Sequence, residues 1–181
     1  MTWTIDAAHT HLEFSVTHMM LAKVRGEFKD FEGTIAFDPE NPAATEVNIN
    51  INVASLTTRN QDRDAHLRSP DFFNVEQYPT MTFKSKRVEL VSDNGAKLVG
   101  DLTIKDITRE VVLNVNYAGQ AQSPWGTTSA GFTASTSIDR TAWDLTWNQA
   151  LETGGVLVSE KVGINIETEL IKQAEKEAEA V

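Results

Sequence analysis

Apolar and polar residues alternate with a period of two along most of this chain. The plainest case is Val47-Asn48-Ile49-Asn50-Ile51-Asn52-Val53, where the branched side chains fall on one face and the asparagines on the other. The same period runs through Leu12, Phe14, Val16 and His18; Ile35 and Phe37; Met81 and Phe83; Leu98, Gly100, Leu102 and Ile104; Val111, Leu113, Val115 and Tyr117; Ala130, Phe132, Ala134, Thr136 and Ile138; and Val162, Ile164, Ile166 and Leu170. The pattern therefore predicts eight strands. Turn-forming runs separate them, among them Asp38-Pro39-Glu40-Asn41-Pro42, Ser92-Asp93-Asn94-Gly95, Lys105-Asp106-Ile107-Thr108, Ser123-Pro124-Trp125-Gly126 and Thr153-Gly154-Gly155. Consecutive strands on short turns are antiparallel neighbours.

Eight such strands in one domain either close into a barrel or split into two stacked sheets. Closure is the reading adopted, because Val47 to Val53 carries neither the lysine nor the proline that blunts an open edge. A barrel of this size is filled by side chains or holds one small ligand, as in lipocalins, and strands of this length make it roughly 25 to 30 Å tall. An elongated apolar guest suits such a tube. Gly26, Gly33, Gly100 and Gly131 inside the strand patterns mark bulges or sharp coiling.

Two segments depart from the alternation. Asn60 is a helix cap ahead of Gln61-Asp62-Arg63-Asp64-Ala65-His66-Leu67-Arg68, and Ser69-Pro70-Asp71-Phe72-Phe73 adds a second short turn, which places one helical segment near residues 60–73. Phe72, Phe73 and Tyr78 are candidates for a lid over a barrel mouth. Residues 172–181 have helix formers and almost no apolar face, and read as an acidic tail, helical or disordered, behind a single domain of residues 1–171.

Composition narrows the function. With 16 Lys and Arg against 26 Asp and Glu, the formal charge of −10 argues against a nucleic-acid partner. The absence of Cys excludes disulfides, a thiolate nucleophile and Cys-ligated zinc or iron–sulfur clusters. Val111 to Ile138 contains no charged residue, but Asn114, Asn116, Gln120, Gln122 and Pro124 interrupt it, so no membrane span is expected. The N-terminus lacks a basic region followed by an apolar one, and the expected compartment is the cytoplasm. No phosphate loop, dinucleotide fingerprint or EF-hand spacing occurs, and no cofactor is expected.

Candidate chemistry sits in two places. His9, His11 and His18 cluster early in the chain, and strand alternation puts His9 and His11 on one face, a pairing that can supply two zinc ligands. Asp62 and His66, at i and i+4, share a helical face, and a carboxylate orienting an imidazole is the start of acid–base chemistry. Neither has a nucleophile placed beside it: no G-x-S-x-G elbow occurs. A metal-dependent or acid–base hydrolase built on these groups is thus the alternative reading. Arg59, Arg63 and Arg68 make a local cationic group in an acidic chain.

The residues from Trp3 to Ile171 resemble the YceI-like family of lipocalin-like barrels. The resemblance is carried by Trp3-Thr4-Ile5-Asp6 with His9 to His11 and Phe14; Arg63 to Phe73; Tyr78-Pro79 leading to Phe83-Lys84-Ser85; Gly100 to Ile104 with Thr108-Arg109; Ile138-Asp139-Arg140; and Leu145-Thr146-Trp147-Asn148. It departs at Trp143-Asp144, where the family more often has Phe-Gly, and at Asp106, where Gly is frequent. The resemblance implies an extended eight-stranded antiparallel barrel binding a long-chain isoprenoid, such as a polyprenyl pyrophosphate or quinone-like lipid, or another aliphatic amphiphile. It further implies a homodimer and carries no catalytic residue. On this reading Leu12, Phe14, Val16, Ile35, Ile49, Ile51, Phe83, Leu102, Leu113, Phe132 and Ile164 wall the pore, while Arg59, Arg63 and His66 meet the headgroup. Ten to twenty buried methylenes contribute roughly 8 to 16 kcal/mol before association costs, so the tail supplies affinity and the head orientation.

Overall fold

The structure, a computed structural model, describes residues 2–172. The expected tail lies outside the described residues from 173 onward. Strand segments are β1 (Thr2–Ile5), β2 (His11–His18), β3 (Ala22–Phe28), β4 (Phe31–Ala36), β5 (Glu46–Asn52), β6 (Leu56–Thr57), β7 (Thr80–Leu90), β8 (Gly95–Ile104), β9 (Ile107–Gln122), β10 (Thr128–Asp139) and β11 (Lys161–Lys172), with one helix, α1 (Gln61–Arg68), between β6 and β7. All pairings are antiparallel. The ring runs β1-β4-β5-β7-β8-β9-β10-β11 and returns to β1 through Trp3↔Lys172, Thr4↔Ile171 and Ile5↔Leu170, a closed eight-stranded barrel. The remaining segments extend three of those strands: β2 pairs with β11, β3 with β2 and β6 with β3.

The breaks have local causes. Asp6 caps a 3-10 turn at Ala7–His9 between β1 and β2, its side chain accepting from the Ala8 N–H, and Asn52 does the same for Ala54 ahead of the turn at Val53–Ser55. Lys29-Asp30 separates β3 from β4 and changes the parity, so that Val24 and Phe28 but then Phe31 and Ile35 face inward. A bulge between Ser85 and Arg87 likewise lets Met81 and Phe83, then Val88 and Leu90, all face the lumen. Where the wall coils most tightly, glycine makes room for a ring: a Cβ on Gly100 would lie 2.5 Å from Phe83 Cζ.

Lys105 and Asp106 form the two-residue β8–β9 turn with φ of 53° and 60°, and Asp144 has φ of 60°. Both aspartates thus occupy left-handed positions, which suit glycine and which a short polar residue also tolerates. Helix α1 begins where expected, with Asn60 Oδ1 accepting from the Arg63 N–H at 3.0 Å. Beyond it, Ser69 to Phe73 forms a turn whose Phe72 N–H donates to Ser69 O. None of the described helices is long and apolar enough to cross a membrane.

Candidate functional site

The inward rows enclose a cavity of about 840 Å³. All eleven residues expected on the pore wall line it: Leu12, Phe14 and Val16 from β2, Ile35 from β4, Ile49 and Ile51 from β5, Phe83, Leu102, Leu113, Phe132 and Ile164. Val24, Val88, Ala134, Ile138, Val162 and Ile166 are among the other apolar residues of the wall. Many of these side chains are only half-buried although they point inward, because they border empty space in place of other side chains. The asparagines of β5 point outward.

One end of the cavity lies between α1 and the long connection from β10 to β11. Arg63, His66, Asp62, Asn60 and Thr58 line it from the helical side, His18 from the end of β2, and Trp147, Leu157 and Val158 from the connection. Phe72 and Phe73 line the cavity and belong to the packed core, whereas Tyr78 stays half-buried outside the lining. Arg63 is held by Thr58, its Nε donating to Oγ1 and its Nη2 to the carbonyl, both at 2.8 Å. Thr58 in turn donates through its hydroxyl and N–H to the buried Asp64. Among the described residues Arg63 Nη1 makes no hydrogen bond. The His66 ring packs edge-on against Phe72 and Trp147, at 5.1 and 4.7 Å between centroids.

The sequence pairings at this end are revised. His66 Nε2 bonds Asp71 Oδ2 at 2.9 Å, because the turn after α1 carries Asp71 back to it; Asp62, one turn earlier on the helix, makes no such bond. Arg59, exposed and with φ of 62° just before the helix cap, is outside the cavity lining. Arg68 is taken by the backbone, donating to Ala54 O and Leu56 O beside the short β6 strand.

Sequence reasoning missed Arg140. It is 3% exposed, lines the cavity, and donates from Nε to Ser159 O, from Nη1 to Leu145 O and Trp147 O, and from Nη2 to Val158 O. Burial lowers its pKa, against the opposing fields of Glu160 and Asp139. Among the described residues it makes no ion pair. The sequence marked Arg140 only as part of the Ile138-Asp139-Arg140 motif at the end of an alternating strand; its acceptors are main-chain carbonyls, which no side-chain motif betrays.

The three early histidines do not converge. His9 stands in the 3-10 turn, His11 Nδ1 lies 3.7 Å from Glu27 Oε2 outside the barrel, and His18 borders the cavity, so the paired-strand geometry for zinc is absent. His9 instead meets two carboxylates: its Nδ1 is 2.7 Å from Asp6 Oδ2 and 3.5 Å from Glu169 Oε2. The hydrogen bond to Asp6, followed by the charges of Asp6 and Glu169, raises its pKa above 6.5. A proton held more tightly in the folded state adds stability that is complete below about pH 6.5 and lost as pH rises through the raised value. Imidazole NMR titration should place His9 above 6.5 and the Asp6→Asn variant closer to it; a native value at or below 6.5 rules the pairing out.

A closed antiparallel barrel around an apolar cavity, with Arg63 and Arg140 at a helix-flanked mouth, defines a lipocalin-like barrel protein. A YceI-like domain model matches residues 3–170. The chain belongs to the YceI-like family. It is 41% identical to protein YceI of Escherichia coli over 133 residues, 74% of this chain and 69% of that one. Its fold resembles Burkholderia cenocepacia BcnA with a TM-score of 0.80 at 24% identity, covering 91% of this chain and 98% of that one. A polyisoprenoid binding domain from Saccharophagus degradans implicated in plant cell wall breakdown is also similar in fold, with a TM-score of 0.68 at 12% identity over 94% of this chain and 98% of that one.

Proposed function

We propose that this protein binds a long-chain isoprenoid-type lipid, or a similar aliphatic amphiphile, without catalysing its conversion, and acts as its carrier or store. The observation that carries this reading is the cavity. Its 840 Å³ lies within the ordinary range of small-molecule sites, and its wall is a nearly unbroken set of branched and aromatic side chains from every strand of the ring. The binding named for the Saccharophagus degradans domain, which shares the fold, agrees with it.

The polar groups are unevenly distributed, which orients the guest. Arg63, His66 and Arg140 line the α1 end, whereas the lining at the opposite end includes Thr45, Ser92, Asp93 and Asn94 but no cation. An anionic head therefore rests at the α1 mouth, where Arg63 Nη1 has donor capacity to spare, and the tail runs away from it. Native mass spectrometry of protein purified without detergent tests this. The expected spectrum shows stoichiometric lipid that solvent extraction removes and a long-chain prenyl phosphate restores; failure of any prenyl lipid to bind saturably refutes the reading.

A further inference from the structure

Opposite the α1 mouth, three aromatic rings meet across the lumen. Phe37 directly follows β4, Tyr117 is on β9 and Phe132 on β10. In the ring of eight strands β4 and β9 stand four places apart, on opposite walls. Yet the Phe37 ring is 5.7 Å from Tyr117 and 5.1 Å from Phe132, both edge-on, and Tyr117 and Phe132 are themselves 5.1 Å apart. Rings from opposite walls in mutual contact fill the space between those walls. The arrangement is also backed: Trp3, 1% exposed, packs 5.8 Å from Phe37 and donates from Nε1 to the Phe37 carbonyl at 2.9 Å, and Ala130 and Leu170 are sealed beside it. Phe37 is 5% exposed and has nowhere to swing.

Beside the rings the cavity continues along the β5–β7–β8 wall, past Val47, Leu90 and Ala96, toward Thr45 and Gly95. At the level of the triad the rings narrow the lumen, and the lining that reaches beyond them, Pro39 and Pro42 included, marks a side passage. On β10 the inward row from Ile138 at the mouth to Phe132 spans six residues, which corresponds to about 15 Å along the barrel axis.

We propose that Phe37, Tyr117 and Phe132 gauge the hydrophobic tail of the guest, a specificity role that rests on the lipid-binding reading above. A tail that ends short of the triad leaves apolar wall uncovered, so each added methylene that reaches it tightens binding about fourfold. A longer tail must bend into the side passage or remain outside, and the added carbons bring little. The triad therefore selects by length and by flexibility beyond the first 15 Å or so, while the α1 mouth selects the head.

Isothermal titration with linear prenyl monophosphates of increasing length, on the native protein and on Phe132→Ala, tests the gauge. The native protein is expected to bind more tightly with each isoprene unit and then level off; in Phe132→Ala the levelling moves to longer chains, and the longest members gain at least tenfold. Phe132 is half-buried and faces the cavity, and Phe132→Leu, expected to shift the profile less in the same direction, keeps the test open should the alanine variant not fold. Identical profiles in native and folded variant proteins, or affinity independent of length, overturn the gauge and leave lipid binding standing. Absence of binding at every length in the native protein overturns both readings.

Discussion

Arg140→Met is expected to lower unfolding stability by about 3–5 kcal/mol, at the upper end of what single substitutions do. The guanidinium is almost fully buried and satisfies carbonyls of Leu145, Trp147, Val158 and Ser159. Those four residues belong to the connection that shuts one side of the α1 mouth, and removing the donor leaves several buried acceptors bare at about 1–3 kcal/mol each, partly recovered by relaxation and water. Methionine keeps most of the apolar stem, so the loss reports the hydrogen bonds more than the volume. Arg140→Lys should recover little, because a point-like ammonium with three donors cannot span acceptors arranged around a planar fork. Urea denaturation measures the loss, and amide exchange of residues 145–158 shows where it falls. A change under about 1 kcal/mol would mean the connection is held by its other contacts, among them the Asn148 hydrogen bonds to Val158, and not by Arg140.

Ala134→Trp should abolish most lipid binding while leaving the fold nearly as stable as before. Ala134 lies midway along β10, opposite Val115 and Ile166, and faces the cavity. A large side chain introduced into a packed core costs roughly 1–3 kcal/mol in strain, but here the ring enters space that no side chain occupies, and the apolar surface it buries offsets much of that. The expected outcome is at least a tenfold loss of affinity for a long prenyl phosphate, read by titration, with a denaturation midpoint close to native. Undiminished binding in the folded variant would show that the lipid does not lie in the barrel.

Much of this was legible in the chain. Period-two alternation located β2 and every strand of the ring except the short β1, and because one face is apolar throughout, it also assigned the inward rows that line the cavity. The pattern failed where parity changes. Phe28 and Phe31 both face inward across the Lys29-Asp30 break, so β3 does not continue the row that marks β4, and it escaped the alternation count. His9 and His11 share a parity, but the capped 3-10 turn takes His9 off the strand, and the zinc pairing that parity suggested goes with it. The mouth was half legible. Helical spacing brought Arg63 and His66 together, but which carboxylate meets His66 depends on a turn beyond the helix, and Arg59 is set aside by its left-handed backbone. Arg140 and the Phe37–Tyr117–Phe132 contact were out of reach. One depends on how the connection that follows it folds back to present main-chain acceptors, the other on which strands stand opposite once the ring is closed.

The seam where β11 meets both β1 and β2 has a consequence for how the molecule is made. Every other junction in the cylinder joins segments closer in the chain, several of them through hairpins, and can form before the seam does. The seam needs residues from both extremes: Gly163 to Glu167 against His11 to Ser15, and Leu170 to Lys172 against Trp3 to Ile5. Until those residues pair, the folding chain is a sheet with its apolar face uncovered and two unpaired margins. That is the interval of greatest risk from self-association, because the apolar wall has yet to be sealed.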